Sequence, residues 1–358
     1  VTTTHDPNIT VNVYLSASPV QRASFSIPMY IVPLATNSLD GNRTVTYANV
    51  TDAAADETSG FISSQTLAVI TRAFTQNPKP ASFKVGYIDL VGVETYSAAL
   101  IAIIADDPDF YIPLSETRVA ADIVDISAAV EAQAKKMLYI SQSADADWIT
   151  SGVPAGFSTI VTNERTGVLY HDTDANPNAE GWASAVAVFD SDIQSAPWTR
   201  TVKSGDVLAT QITEAERQII FANFANVGLP YGASNYFVDS GQSITGRPIY
   251  EQVTADWFAT RIAEDVAELV QATNDLGQKI PVSAAGQVRI LAILKSRLAQ
   301  GQQAGHFDPD PDEVSAVAED ITATDETNQR MRFTVRAKSS ISARIFTFDV
   351  YSSTTSIQ

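Results

Sequence analysis

Three histidines, His5, His171 and His306, are the only imidazoles in 358 residues, and cysteine is absent. Without cysteine there is no thiolate ligand, no thiol nucleophile and no disulfide framework. None of the histidines has a second one at a helical or finger-like spacing, so a zinc or general-base centre lacks its starting pair. The run His171-Asp-Thr-Asp-Ala-Asn-Pro resembles the first half of a calcium loop, with side-chain oxygens at alternate positions. Its sixth place, which needs a turn-forming glycine, is Pro177, and its twelfth, which needs glutamate, is Ala183. A polar loop is the expectation there. Asp308-Pro-Asp-Pro-Asp could gather oxygens round a cation, but its prolines favour an exposed linker, and Asp106-Asp107 reads as a helix-to-strand turn. No Gly-rich phosphate loop, nucleophile elbow or zinc-binding histidine helix is present. The residues therefore predict no catalytic site, no cofactor and no metal.

Charge narrows the partners. The chain has 23 basic and 41 acidic residues, a net charge of −18, which opposes binding to phosphate backbones and anionic lipid. Neither nucleic acid nor membrane is an expected direct partner. The apolar stretch over 96–105 falls well short of the roughly 20 residues that cross a bilayer, and the first residues lack the basic-then-apolar plan of a signal peptide. A soluble chain made in a cytoplasm is expected. Sequons at Asn8, Asn42 and Asn49 matter only in a secreted eukaryotic chain.

The elements that could position a site come next. Ile9, Val11, Val13 and Leu15 alternate with other residues, which predicts a half-buried strand near the amino end with no local partner. A β-rich piece runs to about Tyr47. A helix follows over 58–76 on a Leu67, Ile70 and Phe74 face, then a strand over 83–88. The pattern then alternates: helix 95–105, strand 110–114, helix 119–134 on a Val119, Ile123, Ile126 and Val130 face, strand 137–140, and a strand-helix unit over 168–189. Such alternation predicts sheets covered by helices. Thr213 and Glu216 form a capping box for a helix over 213–227, with Gly228 and Pro230 as its stop. Helices over 254–272 and 283–300 follow, the latter ended by Gly301.

The last sixty residues divide by charge. Eight acids and no base lie in 301–329, and five bases with one acid lie in 330–350. This reads as a solvated acidic loop followed by a basic hairpin, with Met331, Phe333 and Val335 on one strand and 341–351 returning. The fold class expected is mixed α/β: helix-covered sheets in a two-part body with a strand-like arm at each end. The divisions read as an arm at 1–20, core at 21–90, an α/β middle at 91–197, core again at 198–337 and a second arm at 338–358.

An ordered series of segments carries a resemblance. Trp198-Thr-Arg-Thr-Val-Lys-Ser-Gly, the helix ending Ala222-Asn-Phe-Ala-Asn, Ile249-Tyr-Glu-Gln-Val-Thr-Ala-Asp-Trp257, Lys279-Ile-Pro-Val-Ser-Ala-Ala-Gly and Gln300-Gly-Gln-Gln-Ala-Gly-His-Phe-Asp-Pro follow one another. Together with Thr71-Arg-Ala-Phe-Thr-Gln-Asn-Pro, they resemble the tail sheath proteins of contractile-tailed bacteriophages, over 58–90 and 198–350. The region 91–197 is similar only in its strand and helix alternation, and 221–236 departs in having no charged residue where a lysine or two is expected.

The resemblance implies a structural subunit, not an enzyme. It would polymerise as a helical homo-oligomer, built from hexameric rings, around a tail tube, and contract to drive that tube through the host envelope. Partners would be further copies, the tube protein, and baseplate and tail terminator proteins. The place would be the virion tail, assembled in the host cytoplasm. Neighbours would be joined by strand addition through Ile9, Val11, Val13 and Leu15 at one end and Ile345, Phe346, Phe348 and Val350 at the other. Lys279, Arg289, Lys295 and Arg297 are candidate tube-facing bases. The sheath of a phage-derived bacterial injection apparatus is an alternative. From another class, the α/β pattern alone also fits an enzyme or a carbohydrate-binding module.

Overall fold

Pro28 and Pro33 bracket an apolar run that forms the first strand, β1 (Pro28–Pro33), buried at every residue but the last. A strand without a polar face has to lie inside a sheet covered on both sides. The computed structural model describes residues 23–340 except 34–42, 90–93, 134–135, 151, 175, 200, 204–211, 232–234 and 329. β2 (Thr44–Tyr47), α1 (Val50–Thr58), α2 (Ser64–Thr75), β3 (Phe83–Ile88), α3 (Tyr96–Asp106), β4 (Ile112–Ser115) and α4 (Ala120–Ala132) follow. The first sheet has the order β2-β3-β1-β4, in which β3, β1 and β4 are parallel and β2 is an antiparallel edge.

The helix expected over 58–76 is α2, which starts later, at Ser64, and a separate helix, α1, precedes it. Gly60, at φ 79°, takes the chain out of α1, and Ser63 starts α2 by accepting from the Thr66 amide. Ile70 is buried with Val69 and Ala73, while Leu67 and Phe74 sit half-buried beside that stripe. On α4, Ile123, Ile126 and Val130 are buried as expected, whereas Val119 stands at the N-cap and is exposed.

A second sheet continues the chain through β5 (Tyr139–Ser143), α5 (Asp147–Thr150), β6 (Thr166–Tyr170), α6 (Asn178–Val186), β7 (Thr201–Lys203), α7 (Glu214–Ala222), β8 (Asn226–Tyr231) and β9 (Asn235–Asp239). Its order is β5-β6-β8-β9-β7, with β5, β6 and β8 parallel and the β8–β9 and β9–β7 pairs antiparallel. The capping box of α7 is formed as expected. The helix ends sooner than 227, because Asn223 caps it and Phe224 turns at φ 61°. Gly228 and Pro230 lie inside β8 rather than ending a helix. Pro230 is tolerated because β6 pairs only with Asn226 and Val227, which leaves Pro230 unpaired on that side.

The two sheets abut where the Leu138 amide donates to the Tyr111 carbonyl at 2.9 Å. Divisions at 90/91 and 197/198 therefore fall within sheets: β4 hydrogen-bonds to β1, and β7, β8 and β9 complete the sheet that β5 begins. One apolar core runs from Met29 and Tyr30 to Trp257 and Phe258.

Two long helices, α8 (Ile249–Asp275) and α9 (Ala284–Gln303), lie against that core, followed by β10 (Val314–Ala318), α10 (Ala323–Thr327) and β11 (Phe333–Ala337). At 27 residues, α8 spans about 40 Å. Its first half buries Val253, Trp257, Phe258 and Ile262, while 274–279 beyond it are exposed. Gly301 lies inside α9 and does not stop it. A Cβ there would sit 2.5 Å from the Phe307 ring, so glycine lets the ring close against the helix. β11 pairs antiparallel with β10, which belongs to the acidic stretch. The expected partner strand, with Ile345, Phe346, Phe348 and Val350, lies outside the described residues, as do Ile9, Val11, Val13 and Leu15.

Candidate interaction surfaces and the roots of the end segments

The acidic run and the basic stretch pair with each other within the chain. Asp325 takes Arg330 at 2.9 Å and Arg332 at 3.0 Å, Arg332 also reaches Glu319 at 3.2 Å, and Lys338 bridges Asp308 at 3.0 Å and Glu313 at 3.3 Å. Thr322 bonds and the two arginines hold the Asp325 carboxyl far below the usual carboxylate range. The acidic segment is thus not a free loop but carries β10 and the capped α10, and four of its acids, Asp308, Glu313, Glu319 and Asp325, meet a base from the stretch that follows. The outer face of the pair shows Val317, Thr334, Ser315 and Arg336, and Arg336 forms no ion pair among the described residues.

The four bases singled out in sequence do not form one patch. Lys279 is exposed in the link between α8 and α9, while Arg289 and Lys295 are exposed on α9 about 120° apart round its axis. Arg297 is buried. Its Nη2 donates to Asp265 at 2.6 Å and its Nη1 to Gln300 at 2.5 Å, so it joins α8 to α9 and is not a surface base.

Where the described chain begins a side chain of α8 holds it, and where it ends the backbone just beyond α9 does. The Ala23 amide donates to Glu264 Oε1 at 2.7 Å, Phe25 packs on Tyr111 with centroids 4.9 Å apart, and the Arg261 guanidinium lies 5.4 Å over the Phe25 ring. Arg261 also donates to Glu264 Oε2 and to Asp192 Oδ1, at 2.7 and 2.8 Å. Asp192 receives Trp257 Nε1 at 2.8 Å as well. Burial alone would raise the Asp192 carboxyl, but these hydrogen bonds and the charges of Arg261 and Arg297 outweigh it, so the group titrates below the ordinary aspartate range.

At the other end the Ser340 amide donates to the His306 carbonyl at 3.0 Å, and Phe307 bridges to Ser339. The buried His306 ring stacks on Trp257 at 4.5 Å and 17°. Its Nε2 lies 2.7 Å from the Ser191 carbonyl, which can only accept, so Nε2 carries the proton and Nδ1 accepts from the Thr254 hydroxyl at 3.0 Å. Burial pushes this imidazole below its usual range. Sequence reasoning singled out His306 only as isolated and missed Asp192, Arg261 and Glu264. The available signal was Arg261 itself, a charge between Phe258 and Ile262 on the apolar stripe of a helix.

The remaining sequence candidates are structural. In the loop after His171, the Thr173 and Asn176 carbonyls accept from Gln142 Nε2 at 3.2 and 2.8 Å, and Gln142 Oε1 takes the Asn178 and Ala179 amides. Gln142 thus takes up two of the loop's carbonyls. Asp308 and Asp310 each accept the amide two residues on, at 3.0 Å, and Asp107 pairs with Lys84 at 2.6 Å. Among the described residues no group of three metal-ligating side chains converges, and no described helix is long and apolar enough to cross a membrane.

No protein-family model and no curated protein sequence matches the chain. Solved structures do. The helical sheath of the anti-feeding prophage in its contracted state superposes with a TM-score of 0.66 at 12% identity, covering 98% of this chain and 99% of that one. This is the fold of a contractile sheath protein. The sheath complex of an extracellular contractile injection system, PVC, in its contracted state gives 0.61 at 12% identity over 99% and 97% of the two chains. A sheath tail protein from Listeria innocua gives 0.58 at 11% over 91% and 96%. The sheath fold therefore extends through 91–197, where sequence likeness had been weakest. It also includes α8, α9 and the charge-paired β10–β11 unit, since nearly the whole of each chain is matched.

Proposed function

We propose that this chain is the structural subunit of a contractile sheath. It polymerises helically round a tube and shortens to drive that tube through an envelope, with no catalytic step. The observation that carries this reading is the end-to-end likeness to a contracted helical sheath, 98% of this chain on 99% of that one. A repeated head-to-tail contact generates an open helix, and a small gain per subunit between two packings becomes large work when many subunits are linked.

The partners proposed are further copies of the chain in rings of six, the tube protein, and baseplate and terminator proteins at the ends; a chain in the anti-feeding prophage baseplate shares this fold at a TM-score of 0.64. Strand addition through 9–15 and 345–350 is the proposed joint, since main-chain hydrogen bonds can hold neighbours while their bodies rotate. Lys279, Arg289 and Lys295 remain the proposed tube-facing bases, without Arg297. The particle is a phage tail or a phage-derived injection apparatus.

Electron microscopy of the purified full-length chain, alone and with its tube protein, tests this. Hollow tubular polymers are expected, and deletion of 1–16 should abolish them while circular dichroism and melting stay native. Only discrete particles at every concentration, with both ends intact, would refute the sheath.

A further inference from the structure

The fastenings of Ala23 and Ser340, far apart in sequence, meet at one turn. On the amino-terminal side the path runs from the Ala23 amide to Glu264, from Glu264 to Arg261 and from Arg261 to Asp192. On the carboxy-terminal side it runs from the Ser340 amide to the His306 carbonyl, and from the His306 ring to the carbonyl of Ser191, the neighbour of Asp192. Trp257 touches both branches: its N–H donates to Asp192 and its face carries the His306 ring. The turn itself is tied down. Gln300 Nε2 donates to the Asp192 carbonyl at 2.8 Å, the Ser195 amide donates to the Ala304 carbonyl at 2.7 Å, and the Asp192 amide bonds Asp190 Oδ1 at 2.9 Å.

We propose that the turn holding Ser191 and Asp192 is a shared anchor that couples residues 23–27 to residues 338–340, with Asp192 as its positioning residue. The argument is one of buried charge. Arg261 and Glu264 have side chains only 6% and 8% exposed, so each must keep a partner. Arg261 divides its donors between Asp192 and Glu264, and Glu264 divides its oxygens between Arg261 and Ala23. Movement of Asp192 therefore shifts Arg261, and with it the carboxylate that holds Ala23. The same movement carries the Ser191 carbonyl away from His306, whose backbone holds Ser340. Two fastenings that share a hub lose strength together, and that is the signature separating a hub from two independent clamps.

The consequence in a polymer rests on the sheath reading given above, since there the segments beyond 23 and 340 would bear the joints; the coupling itself belongs to a single subunit. Amide hydrogen exchange on the full-length, unassembled chain tests it, read at Ala23 and at Ser340, with the Glu319 amide in the β10–β11 unit as the internal control. Asp192→Asn should accelerate exchange at both amides by about tenfold while Glu319 stays unchanged, from the size of charge-assisted bonds. Arg261→Lys touches only the amino-terminal branch directly, yet it should accelerate Ser340 about threefold as well as Ala23, within the range of couplings between residues in contact. If Asp192→Asn does not fold, Arg261→Lys carries the test alone, with Glu264→Gln as the milder change in the same branch. Acceleration at Ala23 with Ser340 unmoved in these two variants would overturn the shared anchor. Failure to form tubes would instead count against the sheath reading and leave the exchange result standing.

Discussion

Asp256→Ala is the perturbation that asks most directly whether the subunit is one mechanical body. Asp256, on α8, is 4% exposed. Its Oδ1 accepts Arg165 Nη2 at 2.7 Å and Gln252 Nε2 at 3.2 Å, and its Oδ2 accepts the Tyr111 hydroxyl at 2.8 Å. Arg165 precedes β6 in the second sheet and Tyr111 precedes β4 in the first, so one carboxylate ties both sheets to α8. Removing it leaves a guanidinium with only 11% of its side-chain surface exposed, and no counter-charge at that place. Breaking a buried pair in this way costs about 3–5 kcal/mol, a large part of the roughly 5–15 kcal/mol that holds a typical domain. The loss of the tyrosine bond falls within that range and is not added to it. Urea unfolding followed by tryptophan fluorescence measures the change. The midpoint should drop while the slope stays constant, and the paired replacement Arg165→Met with Asp256→Leu should recover most of the loss, because well-packed apolar residues carry no desolvation penalty. A single-variant loss below about 1 kcal/mol, or a double variant no better than the single, would refute the reasoning.

Further expectations follow from neighbouring sites. His306 is buried and its imidazole lies below the usual range, so the unfolded chain binds a proton more readily than the folded one. Stability should accordingly fall as pH drops below about 6.5 toward the lower folded value, and His306→Gln should flatten that limb of a denaturation-against-pH curve. An unchanged limb in the variant would assign the acid sensitivity elsewhere. Gly301→Ala should destabilise, although alanine in a helix interior normally gains about 1 kcal/mol over glycine. The new Cβ would lie 2.5 Å from the Phe307 ring, and overpacking of about 1–3 kcal/mol outweighs that gain; a rise in melting temperature would contradict it.

The alternation of helix and strand from 83 to 189 was legible because each segment is short, apolar and punctuated, so local pattern and tertiary position agree. The ends of elements were not. Gly301 looks like a helix stop until Phe307 is brought over it, and Gly228 with Pro230 looks like one until β9 is laid beside β8. In each case a contact distant in sequence overrides the local preference. The fastenings around Asp192 were illegible for the same reason. Asp192, Arg261 and His306 are scattered through the sequence and meet only because α8, the residues just beyond α9 and the turn between α6 and β7 pack together. Arg297 was misassigned because an arginine on a helix reads as surface until Asp265 faces it.

Pairing inside the chain changes what the net charge of −18 implies for assembly. Most of the described arginines, among them Arg43, Arg118, Arg165, Arg217, Arg247, Arg261 and Arg297, are committed to acids of the same chain. The basic stretch at 330–338 is largely matched to the acidic run before it. Contact between the acidic run of one copy and the basic stretch of another would therefore have few free bases to draw on, and what remains between copies is mainly repulsion between acids. Joints made by main-chain pairing and apolar side chains are indifferent to salt, whereas exposed charges separated by more than the screening length of about 10 Å at 0.1 M cease to repel. Raising ionic strength should therefore promote polymerisation, measured by sedimentation of the full-length chain across a salt series. If tubes instead dissolve as salt rises, charge complementarity between subunits governs the lattice, and Lys79, Lys136, Lys279, Arg289, Lys295 and Arg336 are exposed bases that form no ion pair among the described residues and could supply it.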